Sequence, residues 1–193
     1  DVHVFYTERT FFGMYRVFSH KDKSFHTLYH GTTIHGVEAR YQLPNLIPAT
    51  YYHPTGPIGQ LLTEDGLGDR LKNVAAIGLG TGTLALYNEP GCTMRFIEID
   101  PAVVRIAANP DWFSYLKLAK GDITINAGDG RLEMELMPDK SFGIIILDAF
   151  SSDAIPTHLL TREAMAIYRK KLQPGGLIAI HISNVYFDLE PVV

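Results

Sequence analysis

The stretch "NVAAIGLGTGTLALYN", residues 73–88, decides the fold. It opens on a short apolar run, passes through Gly78, Gly80 and Gly82 at every second position, and continues into a segment able to open a helix. Glycines at the end of a strand let the backbone turn tightly and let a ligand come close. The spacing is G-x-G-x-G with Thr81 and Thr83 between and after, so the dinucleotide fingerprint G-x-G-x-x-G is not met. Without a Walker-type lysine, a nucleoside triphosphate is disfavoured as well.

Downstream, strand-like and helix-like segments alternate. "MRFIEID" reads as a second strand, and Pro101 opens a helix over "PAVVRIAAN". "ITINAGDG" and "FGIIILDAF" read as a third and a fourth strand. Thr161 can cap a helix over "REAMAIYRKKL", with Glu163 at its positive end and Lys170 and Lys171 at its negative end. "QPGG" stops that helix, and "LIAIHIS" is a fifth strand. Apolar strands between helices imply a parallel sheet covered on both faces.

Residues 1–52 differ in character. "VHVFY", "GMYRVFS", "SFHTLYH" and "TTIHGVEARY" read as short strands parted by glycine and by the charged turn "HKDKS". They predict a small N-terminal antiparallel β-domain. Residues 53–71 form a connection and a first helix, and residues 72–193 a Rossmann-like nucleoside-binding domain, expected to be truncated at its C-terminus.

The net charge of −4 and the lack of any Lys or Arg run argue against nucleic-acid binding, and leave room for an acidic pocket with a cationic ligand. The single cysteine, Cys92, excludes an intrachain disulfide and reads as a buried strand residue. No apolar run reaches the roughly 18 residues of a membrane span, and no signal peptide is visible. Both ends look like cut points in a longer protein. The expectation is a cytoplasmic location without membrane contact of this fragment, or the soluble domain of a larger membrane-attached protein.

Acidic residues fall where strands end. Glu98 closes the second strand, where a carboxylate can accept hydrogen bonds from both ribose hydroxyls. Asp100, before Pro101, reads as a helix cap. Asp129 and Gly130 follow the third strand; Asp129 can accept from an adenine amine or serve as a turn residue. Asp148 ends the fourth strand, and Asp153 follows in "DAFSSDAIP". Together these carboxylates suit a cationic amine beside an adenosine-type ligand. The plain alternatives are a strand-end carboxylate satisfied by backbone amides for Asp148 and a turn residue before Pro156 for Asp153. A Ser-His-Asp hydrolase would want G-x-S-x-G, which is absent. The histidines at 30, 35 and 53 are too irregularly spaced for zinc, so no metal is expected.

"VAAIGLGTGTLA", "FIEIDPAVV", "AGDGR" and "ILDAF" resemble class I S-adenosylmethionine-dependent transferases. "HGTTIHG", "YYHPTGPIGQ", "DAFSSDAIPTHLLT" and "GGLIAIHISN" narrow the resemblance to the spermidine synthase (polyamine aminopropyltransferase) family, in a bacterial branch often fused to a transporter-like membrane region. The resemblance covers about residues 25–190. It implies a small β-domain before a Rossmann-like class I methyltransferase fold. It implies decarboxylated S-adenosylmethionine, or S-adenosylmethionine, as donor, and a putrescine-like amine as acceptor. A homodimer is the assembly allowed for.

By that resemblance Gly78, Gly80, Thr81 and Gly82 cradle the donor, Glu98 holds its ribose, and Asp129 with Gly130 its adenine. Asp148 is the base at the reacting amine and Asp153 binds the diamine. Tyr52 and His53 match the family's Tyr-His pair, with Tyr52 on the amine, and Gln60 faces the donor. Three positions depart from the pattern. Thr81 stands where the family carries an aspartate, "HGTTIH" places His35 near an expected glutamine, and the D-[ST]-x-D-P motif is stretched to D-A-F-S-S-D-A-I-P. A methyltransferase using the intact donor and a non-catalytic nucleoside- or polyamine-sensing module remain the alternatives.

Overall fold

The computed structural model describes residues 2–149 and 156–182. Strands β1 (Val2–Thr10), β2 (Gly13–His20), β3 (Phe25–His30) and β4 (Thr33–Ala39) form an antiparallel meander in the order β1-β2-β3-β4. Alternation shapes β2, where Tyr15 and Val17 are buried between half-buried neighbours, and Leu28 of β3, opposite Val17, joins them in the core. The proline-rich connection then leads to helix α1 (Pro57–Thr63), with proline in its first turn.

The second sheet is parallel. Its strands are β5 (Asn73–Ile77), β6 (Thr93–Glu98), β7 (Asp122–Ala127), β8 (Phe142–Leu147) and β9 (Leu172–Ile180), in the order β7-β6-β5-β8-β9. Helices α2 (Pro101–Ala108), α3 (Tyr115–Leu118), α4 (Gly130–Leu136) and α5 (Arg162–Lys171) connect them. All of β8 is buried, as a strand covered on both faces requires.

Two cores follow from the pleat. Val74, Ala76, Phe96, Ile144 and Ile146 pack with α2 and with Tyr15, Val17 and Leu28 of the meander. Their neighbours Ala75, Ile77, Ile97, Ile145 and Leu147 pack on the other face with Met134 of α4 and Tyr168 of α5. Each large apolar side chain buried in this way contributes ~1.5–3 kcal/mol.

The meander is tied to the parallel sheet by polar contacts at buried points. Glu38, fully out of water, accepts from Ser114 N at 2.5 Å and pairs with Arg40 at 3.0 Å. Thr10 Oγ1 donates to Asp100 at 2.5 Å, and Tyr115 donates to the Val37 carbonyl at 2.5 Å. These contacts hold the N-terminal sheet over the carboxyl ends of β5 and β6.

Three local expectations are corrected. Cys92 is half-buried and lies just before β6 rather than in it. The segment after the glycine loop forms only a 3-10 turn, Thr83–Tyr87. Its Thr83, Leu84 and Ala85 are buried, and the chain descends at once toward β6, so a longer helix has no face to present. Strand β9 begins at Leu172, directly after α5, so "QPGG" lies within the strand rather than before it. A register shift against β8 between Phe142 and Ile144 absorbs it, with Gly175 at φ +75°. Thr161, Asp100 and Asp129 do cap helices, each accepting backbone N–H bonds. Among the described residues no helix is long and apolar enough to cross a membrane.

Candidate functional site

Strand order reverses direction between β5 and β8: the chain moves from β5 out to β7, then returns to β8 on the other side. Ligands of open parallel sheets bind outside the carboxyl ends of the strands at such a point. A cleft of about 960 Å³, solvent at its mouth included, opens there. Gly78, Leu79 and Gly80 from the glycine loop, Glu98, Asp129, Gly130 and Asp148 line it from the parallel sheet. Phe12, Tyr15, His30 and His35 close it from the meander.

Glu98 is the anchor beside the glycine loop. Its Oε2 accepts from Leu79 N at 3.0 Å and its Oε1 from Asp100 N at 2.9 Å. Burial pushes its carboxyl above the ordinary range, while these two amides pull the other way. At the end of the neighbouring strand β7, Asp129 Oδ1 accepts from Arg131 N and Leu132 N at 2.9 and 3.0 Å, capping α4. Its Oδ2 lies 3.2 Å from His158 Nε2. The two readings of Asp129 thus divide between its oxygens: one is the helix cap, and the other faces an imidazole on the cleft wall.

Asp148 sits at the end of β8 with its side chain only 6 % exposed. Its backbone N donates to the Ile77 carbonyl at 2.8 Å, locking it beside the glycine loop. The Tyr52 hydroxyl donates to Oδ2, and His181 Nδ1 donates to Oδ1 at 2.7 Å. Tyr51 donates to the Tyr52 hydroxyl at 3.0 Å and stacks on His181, ring centroids 4.1 Å apart. Burial first, and then the Asp148 charge, push the Tyr52 phenol far up, so it stays a donor at any working pH. The carboxylate is therefore held on both oxygens at the rim of the cleft.

Other expected residues are placed elsewhere. Thr81 is buried with its hydroxyl 2.9 Å from Thr83 Oγ1, and its side chain packs on Gly36 of β4, where a Cβ would overlap it. Neither Thr81 nor Gly82 lines the cleft. His53 and Gln60 are exposed; His53 Nδ1 is 2.8 Å from Thr55 Oγ1, and neither residue reaches the cleft wall. Asp153 lies outside the described residues.

Sequence reasoning missed His181, Tyr51, His158 and the wall supplied by the meander. His181 directly follows β9, on the same sheet edge as Asp148, and this position was a usable signal. Nothing in the pattern marked His30 as facing the other sheet, and His35 stood out only as the residue near an expected glutamine.

A five-stranded parallel sheet with its cleft at the switch point, and an acidic residue at the end of its second strand, is a Rossmann-like arrangement, which class I S-adenosylmethionine-dependent transferases share. Within that class the likeness is to the spermidine synthase family, whose fold the chain carries together with the N-terminal sheet. A crystal structure of a probable spermidine synthase from Corynebacterium glutamicum matches 92 % of the chain and 62 % of its own, with a TM-score of 0.71 and 18 % identity. A spermidine synthase in complex with the transition state analogue AdoDATO matches 96 % of the chain and 60 % of its own, with a TM-score of 0.64 and 17 % identity. In sequence, a "Probable polyamine aminopropyl transferase" of Bifidobacterium longum is 23 % identical over 175 residues, 89 % of the chain. A "Polyamine aminopropyltransferase" of Vibrio vulnificus is 30 % identical over 114 residues, 55 % of the chain. The chain spans 36 % of the length of each of these two relatives. No protein-family model matches the chain.

Proposed function

We propose that this chain is the catalytic core of an aminopropyltransferase, which binds decarboxylated S-adenosylmethionine in the cleft and transfers its aminopropyl group to a polyamine-type amine. The observation that carries the reading is Asp148: a nearly buried carboxylate, oriented on both oxygens by Tyr52 and His181, beside the glycine loop. The names of the relatives and the AdoDATO complex of the structural neighbour support the same chemistry.

A sulfonium carbon is already activated, so the protein's task is to hold donor and nucleophile in line. Glu98 would accept from the ribose hydroxyls, and Asp129 Oδ2, beside His158, would accept from the adenine amine. A protonated amine cannot attack. Asp148 would take the amine proton as its nitrogen lone pair forms the new C–N bond. The C–S bond breaks, and its electron pair goes to sulfur, leaving a neutral thioether nucleoside. Tyr52 would steady the carboxylate throughout. Thr81, turned onto β4, would take no part in choosing between the decarboxylated and the intact donor.

The test is turnover with each donor in turn, against a panel of diamines, with mass spectrometry of the amine products. The expected result is an amine enlarged by one aminopropyl unit with the decarboxylated donor. A methylated product with the intact donor would replace this reading by a methyltransferase. Donor binding without any product would leave a sensing module.

A further inference from the structure

The cleft wall carries Glu98, Asp129 and Asp148 and, among the described residues, neither Lys nor Arg. Its bases are three histidines: His30, His35 and His158. Two of them are engaged. His30 Nε2 is 2.7 Å from the Phe12 carbonyl, and His158 Nε2 is paired with Asp129. His35 is not: its Nε2 is buried and has no hydrogen-bond partner.

His35 stands on β4 where that strand meets the glycine loop, its own carbonyl facing Gly80. Its ring is 5.3 Å from His30 and within Coulombic range of Asp148. Burial pushes its pKa down to about 4, so the ring is neutral under working conditions. A buried nitrogen left without a partner costs ~1–3 kcal/mol, and such groups in native proteins call for an explanation. A neutral imidazole on a wall of negative charge offers a lone pair and adds no repulsion. Its complement is a cation that donates N–H bonds.

We propose that His35 Nε2 accepts a hydrogen bond from the primary ammonium of a substrate alkylamine, while Asp148 supplies the opposing charge. This rests on the aminopropyl-transfer reading of the cleft and adds a residue that sets specificity for the ammonium end. The ammonium belongs either to the donor's aminopropyl arm or to the acceptor amine, and binding measurements separate the two.

Calorimetric titrations would compare the wild type, His35→Leu and His35→Gln. The probes are decarboxylated S-adenosylmethionine, 5′-methylthioadenosine, which lacks the ammonium, and putrescine with 5′-methylthioadenosine present. His35→Leu should weaken one ammonium ligand about tenfold or more and leave 5′-methylthioadenosine unchanged. His35→Gln, which keeps an acceptor, should recover most of the loss. A loss confined to the decarboxylated donor assigns the donor arm; one confined to putrescine assigns the acceptor. Unchanged affinity for both ammonium ligands, or an equal loss for 5′-methylthioadenosine, overturns the inference while the aminopropyl-transfer reading stands. A wild type that binds none of the probes overturns both. Should His35→Leu not fold, ¹⁵N resonances of the wild-type His35 ring decide: Nε2 must shift with an ammonium ligand and not with 5′-methylthioadenosine, and identical responses reject the assignment.

Discussion

Gly78 and Asp148 are pressed together across the switch point of the parallel sheet: a Cβ on Gly78 would overlap the Asp148 carbonyl oxygen. Gly78 also sits at φ +104°, where L side chains are strained. Gly78→Ala must either part the ends of β5 and β8 or distort the loop. It should cost about 2 kcal/mol or more in urea unfolding and abolish nucleoside binding measured by calorimetry. Wild-type affinity in this variant would mean that the close approach does not shape the cleft.

Asp148→Asn keeps the shape but cannot take the amine proton. Transfer should fall by about 10²–10⁴-fold, with affinity for 5′-methylthioadenosine within a few-fold of wild type. Tyr52→Phe removes only the hydroxyl that donates to Oδ2. Its rate should fall less, by about tenfold, because His181 still holds the other oxygen. Single-turnover kinetics separate the two variants, and an unaffected Asp148→Asn enzyme would remove Asp148 from the base role.

Glu98 accepts from two backbone amides, one on each oxygen. Glu98→Gln turns one acceptor into an NH₂ facing an N–H, which should cost roughly 1–3 kcal/mol of stability and weaken nucleoside binding. Because burial raises the Glu98 carboxyl, the fold favours its protonated form. That contribution is fully present below the unfolded carboxyl pKa and is lost as pH rises through the raised folded value. The stability difference between wild type and Glu98→Gln should therefore depend on pH across that interval, as chemical denaturation at stepped pH would reveal.

His35 is held neutral, with its pKa lowered from 6.5 to about 4. As pH falls below 6.5 the unfolded chain gains a proton that the folded chain refuses. Stability should fall between pH 6.5 and about 4, and level off below, with His35 contributing on the order of 3 kcal/mol. His35→Gln should flatten this slope. Buried His26, whose pKa is lowered by burial, should keep a share of it.

Tyr168 offers a control that does not line the cleft. Its ring is fully buried in the core under α5, and its hydroxyl has no hydrogen-bond partner. Tyr168→Phe should leave stability unchanged or raise it by about 1 kcal/mol in thermal unfolding. A clear loss would show that the hydroxyl is satisfied in solution.

Much of this architecture was legible in the chain. The apolar runs of β5 and β8 are buried on both faces, so their sequences are apolar nearly throughout and need no partner to be recognised. Pro101 and Thr161 announce helix starts because capping is a local matter of a few backbone amides. Glu98 and Asp148 were legible for a related reason, since a carboxylate closing an apolar strand must meet something polar at the sheet's edge. The short 3-10 turn after Gly82 and the early start of β9 were not, because each is set by what packs against the segment.

The sequence by itself determined the two sheets, the order of strands and helices along the parallel one, and the glycine loop with its acidic neighbour. Periodicity, prolines and caps act within a few residues, and that range sufficed. Only the tertiary structure decided what surrounds the reacting carboxylate. Tyr52 and His181 reach Asp148 from a 3-10 turn and from the end of another strand, and His35 joins the wall from a different sheet. It also turned Thr81 away from the cleft, because Gly36 leaves room for its side chain on β4. Contacts between residues far apart in the chain leave no periodic trace, since each partner satisfies only its own local rules until folding brings them together.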